Sequence, residues 1–98
     1  MRMMTLGLAA LCALSPLAAS AQNPICAPTG GIVAAAVEAR KAGQPPETAR
    51  AGIIDGLDAA RQGYVAAVQP LVDWVYDLPE DDLQKDVAGA WVAQCSAQ

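Results

Sequence analysis

Apolar residues recur at three- and four-residue intervals through most of this chain and nowhere alternate over the length of a strand. The pattern therefore predicts helices only. Gln22 to Pro28 reads as a short polar lead that holds Cys26. Thr29 or a neighbouring glycine then starts a first helix. Ile32, Ala36 and Val37 share its inward stripe, with Val33 and Arg40 also at helical spacing. Gly43 is placed to end that helix in the left-handed conformation, and Arg40 and Lys41 lie in a last turn where cations suit the helix dipole. Pro45-Pro46-Glu47 restarts the chain, because proline in a first turn lacks an amide hydrogen that would be unpaired there anyway. The second helix turns Ala49, Ile53, Ile54 and Leu57 inward, leaves Asp58 to Arg61 outside and stops at Gly63.

Tyr64 to Leu78 is the most apolar stretch, with Val65, Val68, Leu71, Val72, Val75 and Tyr76 at helical spacing. Pro70 interrupts it. Either the proline kinks one helix, removing a bond to the Ala66 carbonyl, or a fresh helix begins there; a break or kink is expected between Gly63 and Pro70. Leu78-Pro79 opens a last helix with Glu80, Asp81 and Asp82 in its electropositive first turn. Leu83, Val87, Trp91 and Cys95 recur every four residues along it, which sets the Trp91 indole one turn from Cys95. Lys85 and Asp86 belong to its solvated face.

The first 21 residues change the picture. Met1-Arg2 is a short positive start, Met3 to Leu14 is apolar, Pro16 breaks any helix, and Ala19-Ser20-Ala21 is an A-x-A cleavage site. Residues 1–21 read as a signal peptide and residues 22–98 as one helical domain beginning at Gln22. The apolar run is shorter than the about 20 residues a membrane anchor needs, and no second span follows, so no membrane association is expected after cleavage. Export places Cys26 and Cys95 in an oxidising compartment, where they can pair. A disulfide closing a loop of about 70 residues contributes roughly 4 kcal/mol in the chain-entropy model. The expected fold is all-α: a small antiparallel bundle of three to four helices closed by one disulfide.

Charge and composition exclude more than they assign. Residues 22–98 carry Arg40, Lys41, Arg50, Arg61 and Lys85 against ten carboxylates. An acidic surface repels phosphate backbones, so no nucleic-acid partner is expected. The same residues hold no histidine, and Ser96 is their only serine. A Ser-His-Asp triad and a Cys-His pair are therefore impossible, and there is no C-x-x-C and no histidine to complete a zinc site. Gly30-Gly31 is too short for a phosphate loop. The acidic cluster Asp77, Glu80, Asp81, Asp82 and Asp86 lacks the EF-hand spacing and reads as charge at a helix N-terminus. No enzyme activity and no cofactor are expected. Trp74 and Tyr76 are two apart and cannot share a helix face. If Tyr76 packs inward, Trp74 points out, and Trp74 with Asp73 and Asp77 becomes the candidate partner contact. The competing reading lays Trp74 over an adjacent helix.

The layout Cys26, then Ala39-Arg40-Lys41-Ala42-Gly43-Gln44-Pro45-Pro46-Glu47, then Val75-Tyr76-Asp77-Leu78-Pro79, then Cys95 resembles short exported all-helical proteins of Gram-negative bacteria with a terminal cysteine pair. The resemblance implies a periplasmic address and a helical body, and brings no activity with it. Gln69 to Cys95 is also similar to the small helical immunity proteins that neutralise type VI secretion amidase toxins, which implies a toxin-binding role. Acid-stress chaperones of the periplasm share size, helicity and one disulfide. The expected function is a non-catalytic protein-binding module, with immunity protein and acid-stress chaperone as alternatives. A specific complex marks the first two, and unfolding with client binding at low pH marks the third.

Overall fold

The structure, a computed structural model, describes residues 24–98. The signal-peptide reading of residues 1–21 lies outside the described residues. Four α-helices follow one another: α1 (Cys26–Lys41), α2 (Pro46–Asp55), α3 (Val65–Asp77) and α4 (Val87–Ser96). Two 3-10 helices, Ala59–Tyr64 and Glu80–Gln84, join α2 to α3 and α3 to α4. The all-α bundle and its disulfide are as the periodicity and the cysteines predict.

Helix α1 is the central element, packed against α2, α3 and α4. Its buried positions, Cys26, Thr29, Gly30, Ile32, Val33, Ala36 and Val37, cover more than one stripe, as a helix with neighbours on several sides requires. Val68, Leu71, Val72 and Val75 of α3 close the core from the other side, with Ala49, Leu83 and Val87 at its edges. Ile53, Ile54 and Leu57 pack against that core but stay partly exposed.

Helix α1 begins at Cys26, three residues before the expected start at Thr29. Pro28 fits inside its first turn because the amides there have no intrahelical acceptor. Thr29 is buried, and its hydroxyl donates to the Ile25 carbonyl at 2.7 Å instead of capping the helix. At the other end Gly43 has φ +84°. The Gln44 amide donates to the Ala39 carbonyl and the Gly43 amide to the Arg40 carbonyl, each at 3.0 Å. This Schellman pattern is the stop that the glycine predicts.

Helix α2 starts at Pro46 as expected but ends at Asp55, with Gly56 as its cap, so Gly63 is not its stop. The chain then tightens into the exposed Ala59–Tyr64 3-10 turn. Helix α3 runs through Pro70 without a fresh start, and the change of helix type falls at Tyr64–Val65, ahead of the proline. Pro70 is tolerated because it lies on the exposed face, where water can satisfy the freed Ala66 carbonyl. The single last helix predicted from Pro79 is two elements. Glu80, Asp81 and Asp82 belong to the Glu80–Gln84 3-10 helix, Lys85 is extended, and α4 begins only at Val87. Asp86 is exposed, as expected, and in addition caps α4, its carboxylate accepting from the Gly89 amide at 2.9 Å.

The helices run up, down, up, down. Tyr76 near the end of α3 donates its hydroxyl to the Gln44 carbonyl just before α2, at 2.7 Å. Burial pushes the Tyr76 phenol above its ordinary value of 10.0, against the opposing pull of Arg40, so it remains a donor at neutral pH. Because α1 and α3 point the same way, their carbonyl ends lie together. Arg40 of α1 crosses to α3, where Nη1 donates to the Val75 and Leu78 carbonyls, both at 2.7 Å. Arg40→Met keeps the aliphatic stem and strands both acceptors; the expected loss is about 2–3 kcal/mol in a urea titration. A loss below about 0.5 kcal/mol would mean that water replaces the guanidinium at no cost.

Helices α1 and α4 pack closely at Gly30. A β-carbon there would fall 2.5 Å from Val92 Cγ2, whereas one at Gly31 would meet nothing within 4 Å. The adjacent glycines should respond with opposite signs. Gly30→Ala is expected to cost about 1–3 kcal/mol by overpacking, and Gly31→Ala to gain about 0.5–1 kcal/mol through helix propensity. Thermal melts of the two variants check this directly, and equal shifts would contradict the packing.

Candidate functional site

The candidate site forms where α3 ends and the chain turns back. Leu78 and Pro79 are extended, with ψ 147° and 145°, and they reverse the chain. Leu83 then anchors the acidic 3-10 helix by burying its side chain, 5 % exposed, against the core. The turn lays the start of α4 beside the last turns of α3. Between them is a shallow groove of about 200 Å³ lined by Trp74, Leu78, Asp82, Lys85, Asp86, Val87 and Ala90.

Trp74 is 40 % exposed and, with Ile25, is one of the two large exposed hydrophobics among the described residues. It also lies against α4: its ring centroid is 5.8 Å from that of Trp91, with the planes tilted by 52°. Both earlier readings of this residue therefore describe part of its position. One side of the indole rests on a neighbouring helix, and the remainder faces solvent. Trp91 is in turn fixed from α1. Its Nε1–H donates to Thr29 Oγ1 at 2.8 Å, and the Thr29 hydroxyl in turn donates a hydrogen bond to the Ile25 carbonyl. A hydroxyl with one donor and two acceptor positions suits this relay. The exposed indole is thus held by a second indole, itself tied to the helix that carries Cys26.

Of the three residues expected to make the contact, only Trp74 lines the groove. Asp77 is one turn on from Trp74 along α3 and exposed. Asp73 turns toward α2, where its carboxylate is 3.9 Å from Arg50 Nη1. This pair is solvent-exposed on the Asp73 side and contributes little to stability. Asp82, Lys85, Asp86, Leu78, Val87 and Ala90 join the site instead. The acidic residues stand out in the sequence, but assigning them to one continuous helix hides the turn that folds them beside Trp74. Lys85 Nζ pairs with Asp82 Oδ1 at 3.0 Å, and Asp86 is engaged with its own helix. Among the described residues, no group of three or more histidine, cysteine, aspartate or glutamate side chains is arranged to hold a metal ion.

Size indicates what the groove can receive. Sites for small molecules generally occupy about 300–1,000 Å³ and enclose most of the ligand. The Trp74 groove is smaller, open and flanked by an aromatic anchor, dimensions that fit a side chain or two of a larger partner. A second groove of about 500 Å³ runs between α1 and α2, with Ile32, Ile53 and Leu57 among its lining. Gly31, Ala35, Ala42, Gly52 and Gly56 also line it, and no aromatic residue does. Glu38, Gln44 and Arg61 join a lining that lacks the aromatic anchor Trp74 supplies to the smaller groove.

The chain matches no protein-family model, no curated protein sequence and no solved structure.

Proposed function

We propose that the protein is an exported, periplasmic, non-catalytic module that binds a protein partner through the Trp74 groove. The observation that carries this reading is an indole 40 % exposed yet buttressed by a second indole at 5.8 Å. Holding an aromatic side chain rigid before contact lowers the entropy cost of binding, and tryptophan is enriched among residues that dominate interfaces. Export is supported by the leader pattern of residues 1–21 and by a disulfide, which persists in oxidising compartments. Among the described residues, no helix is long and apolar enough to cross a membrane.

Trp74→Ala separates contact from scaffold. The substitution should cost only about 1–2 kcal/mol, chiefly the lost ring contact with Trp91, because much of the side chain is already in water. A pull-down from periplasmic extract with wild-type and Trp74→Ala baits should show a complex with the first and none with the second. Destabilisation in the about 3–5 kcal/mol range typical of core tryptophan would make Trp74 a packing residue and remove the basis for the proposal.

A further inference from the structure

The net charge of residues 22–98 is confined to one segment. Six of their ten carboxylates, and only Lys85 among their cations, lie between Asp73 and Asp86. The remaining four carboxylates are balanced by Arg40, Lys41, Arg50 and Arg61. The segment from Asp73 to Asp86 therefore carries the whole formal excess of five negative charges, and the rest of the domain is neutral. The turn at Leu78-Pro79 folds the later part of this segment back beside Trp74, whereas Asp73 faces Arg50 of α2. Asp82 and Asp86 line the groove itself, and Asp77 stands one turn from the indole. Among the described residues, no lysine or arginine pairs with Asp77, Glu80 or Asp81, and all three are exposed.

We infer that the partner seated on the Trp74 groove is a basic polypeptide segment: an apolar side chain against Trp74, Leu78, Val87 and Ala90, flanked by lysine or arginine facing the acidic rim. The inference rests on the proposed binding role of Trp74 and adds the chemistry of the occupant. The groove supplies contact area, and the charge selects which chains approach it. Carboxylates gathered within roughly one Debye length, about 8–10 Å at physiological salt, act together on an approaching cation. Their field speeds association and rejects acidic partners more than it deepens the bound state. An apolar wall beside the charges distinguishes this surface from a solvated acidic face, because a fully hydrated cation gains nothing from Leu78 or Val87. Lysine and arginine stems, by contrast, can lie along apolar surface while their heads remain at the rim.

The test uses the oxidised protein purified after export and three synthetic peptides. All share one amphipathic pattern of leucine and tryptophan and differ only in polar positions filled by lysine and arginine, glutamine, or glutamate. The basic peptide should bind at least about tenfold more tightly than the glutamine peptide, and the glutamate peptide not measurably, with the basic peptide weakening about tenfold between roughly 0.05 and 0.5 M salt. The triple variant D77N/E80Q/D81N changes only exposed side chains. It should lower affinity for the basic peptide about tenfold while leaving the glutamine peptide unchanged. Asp77→Asn alone serves as the second variant should the triple one not fold. Failure of the basic peptide to bind, or binding indifferent to salt and to the rim variants, overturns the inference. Equal binding of all three peptides, each abolished by Trp74→Ala, overturns charge selection and leaves the groove as a binding surface. Binding unaffected by Trp74→Ala overturns the groove reading and the inference together.

Discussion

Removing the disulfide with Cys26→Ala/Cys95→Ala should cost about 4 kcal/mol and lower the melting temperature by on the order of 20 °C. The bond joins the first residue of α1 to the penultimate residue of α4 across a separation of 69 residues, with the α-carbons 5.7 Å apart. Closing so long a loop removes much of the freedom of the unfolded chain, and the saving is large because the loop spans almost the whole domain. A domain of this size is ordinarily stable by roughly 4–11 kcal/mol, so the staple accounts for a major share. Its loss should be felt first in α4. Ten residues are too few for an independent helix, and Val87 is the one buried residue of α4. Reduction of the wild-type protein should produce the same destabilisation, measured by urea unfolding with and without dithiothreitol. A double variant melting within about 5 °C of wild type, well under the shift expected from 4 kcal/mol, would contradict this account.

Trp91→Ala should have the next largest effect, about 3–5 kcal/mol. The substitution removes the ring that joins α4 to the core and leaves Thr29 Oγ1 without its incoming proton in a buried position. It also withdraws the support from Trp74, so the groove should lose its shape along with the stability. Trp91→Phe separates the two contributions. It keeps most of the apolar area and deletes the N–H, so about 1 kcal/mol should be lost and peptide binding largely retained. Urea titrations of both variants, read beside Trp74→Ala, rank the three changes. Trp91→Ala should be much more damaging than Trp74→Ala. The reverse order would exchange the roles of the two indoles, making Trp91 the contact and Trp74 the scaffold.

Elements governed by near neighbours were legible without coordinates. The stripe of Ile32, Ala36 and Val37, the proline start of α2 and the left-handed stop at Gly43 each follow from the chemistry of a few adjacent residues. The cysteine pairing was legible for a related reason, since only Cys26 and Cys95 are present in residues 22–98. The boundaries that differed lie where local periodicity continues across a change in backbone. Leu83, Val87, Trp91 and Cys95 keep a four-residue rhythm although Lys85 is extended between two helices. A 3-10 turn and an extended residue can leave the next apolar side chain facing the same core, so the rhythm survives the break.

By itself, then, the sequence determined the helical class, the four apolar segments, the end-to-end staple and the acidic character of the stretch around Trp74. Tertiary structure alone decided that Arg40 caps the far end of α3, that Trp91 hangs from Thr29, that Asp73 turns away to Arg50, and that the acidic turn folds beside Trp74. The physical reason is common to all four. Each partnership joins residues on different elements, and its acceptor is often a carbonyl, which every residue carries and no residue type announces. Which of them a side chain meets depends on how the packed helices bring their ends together.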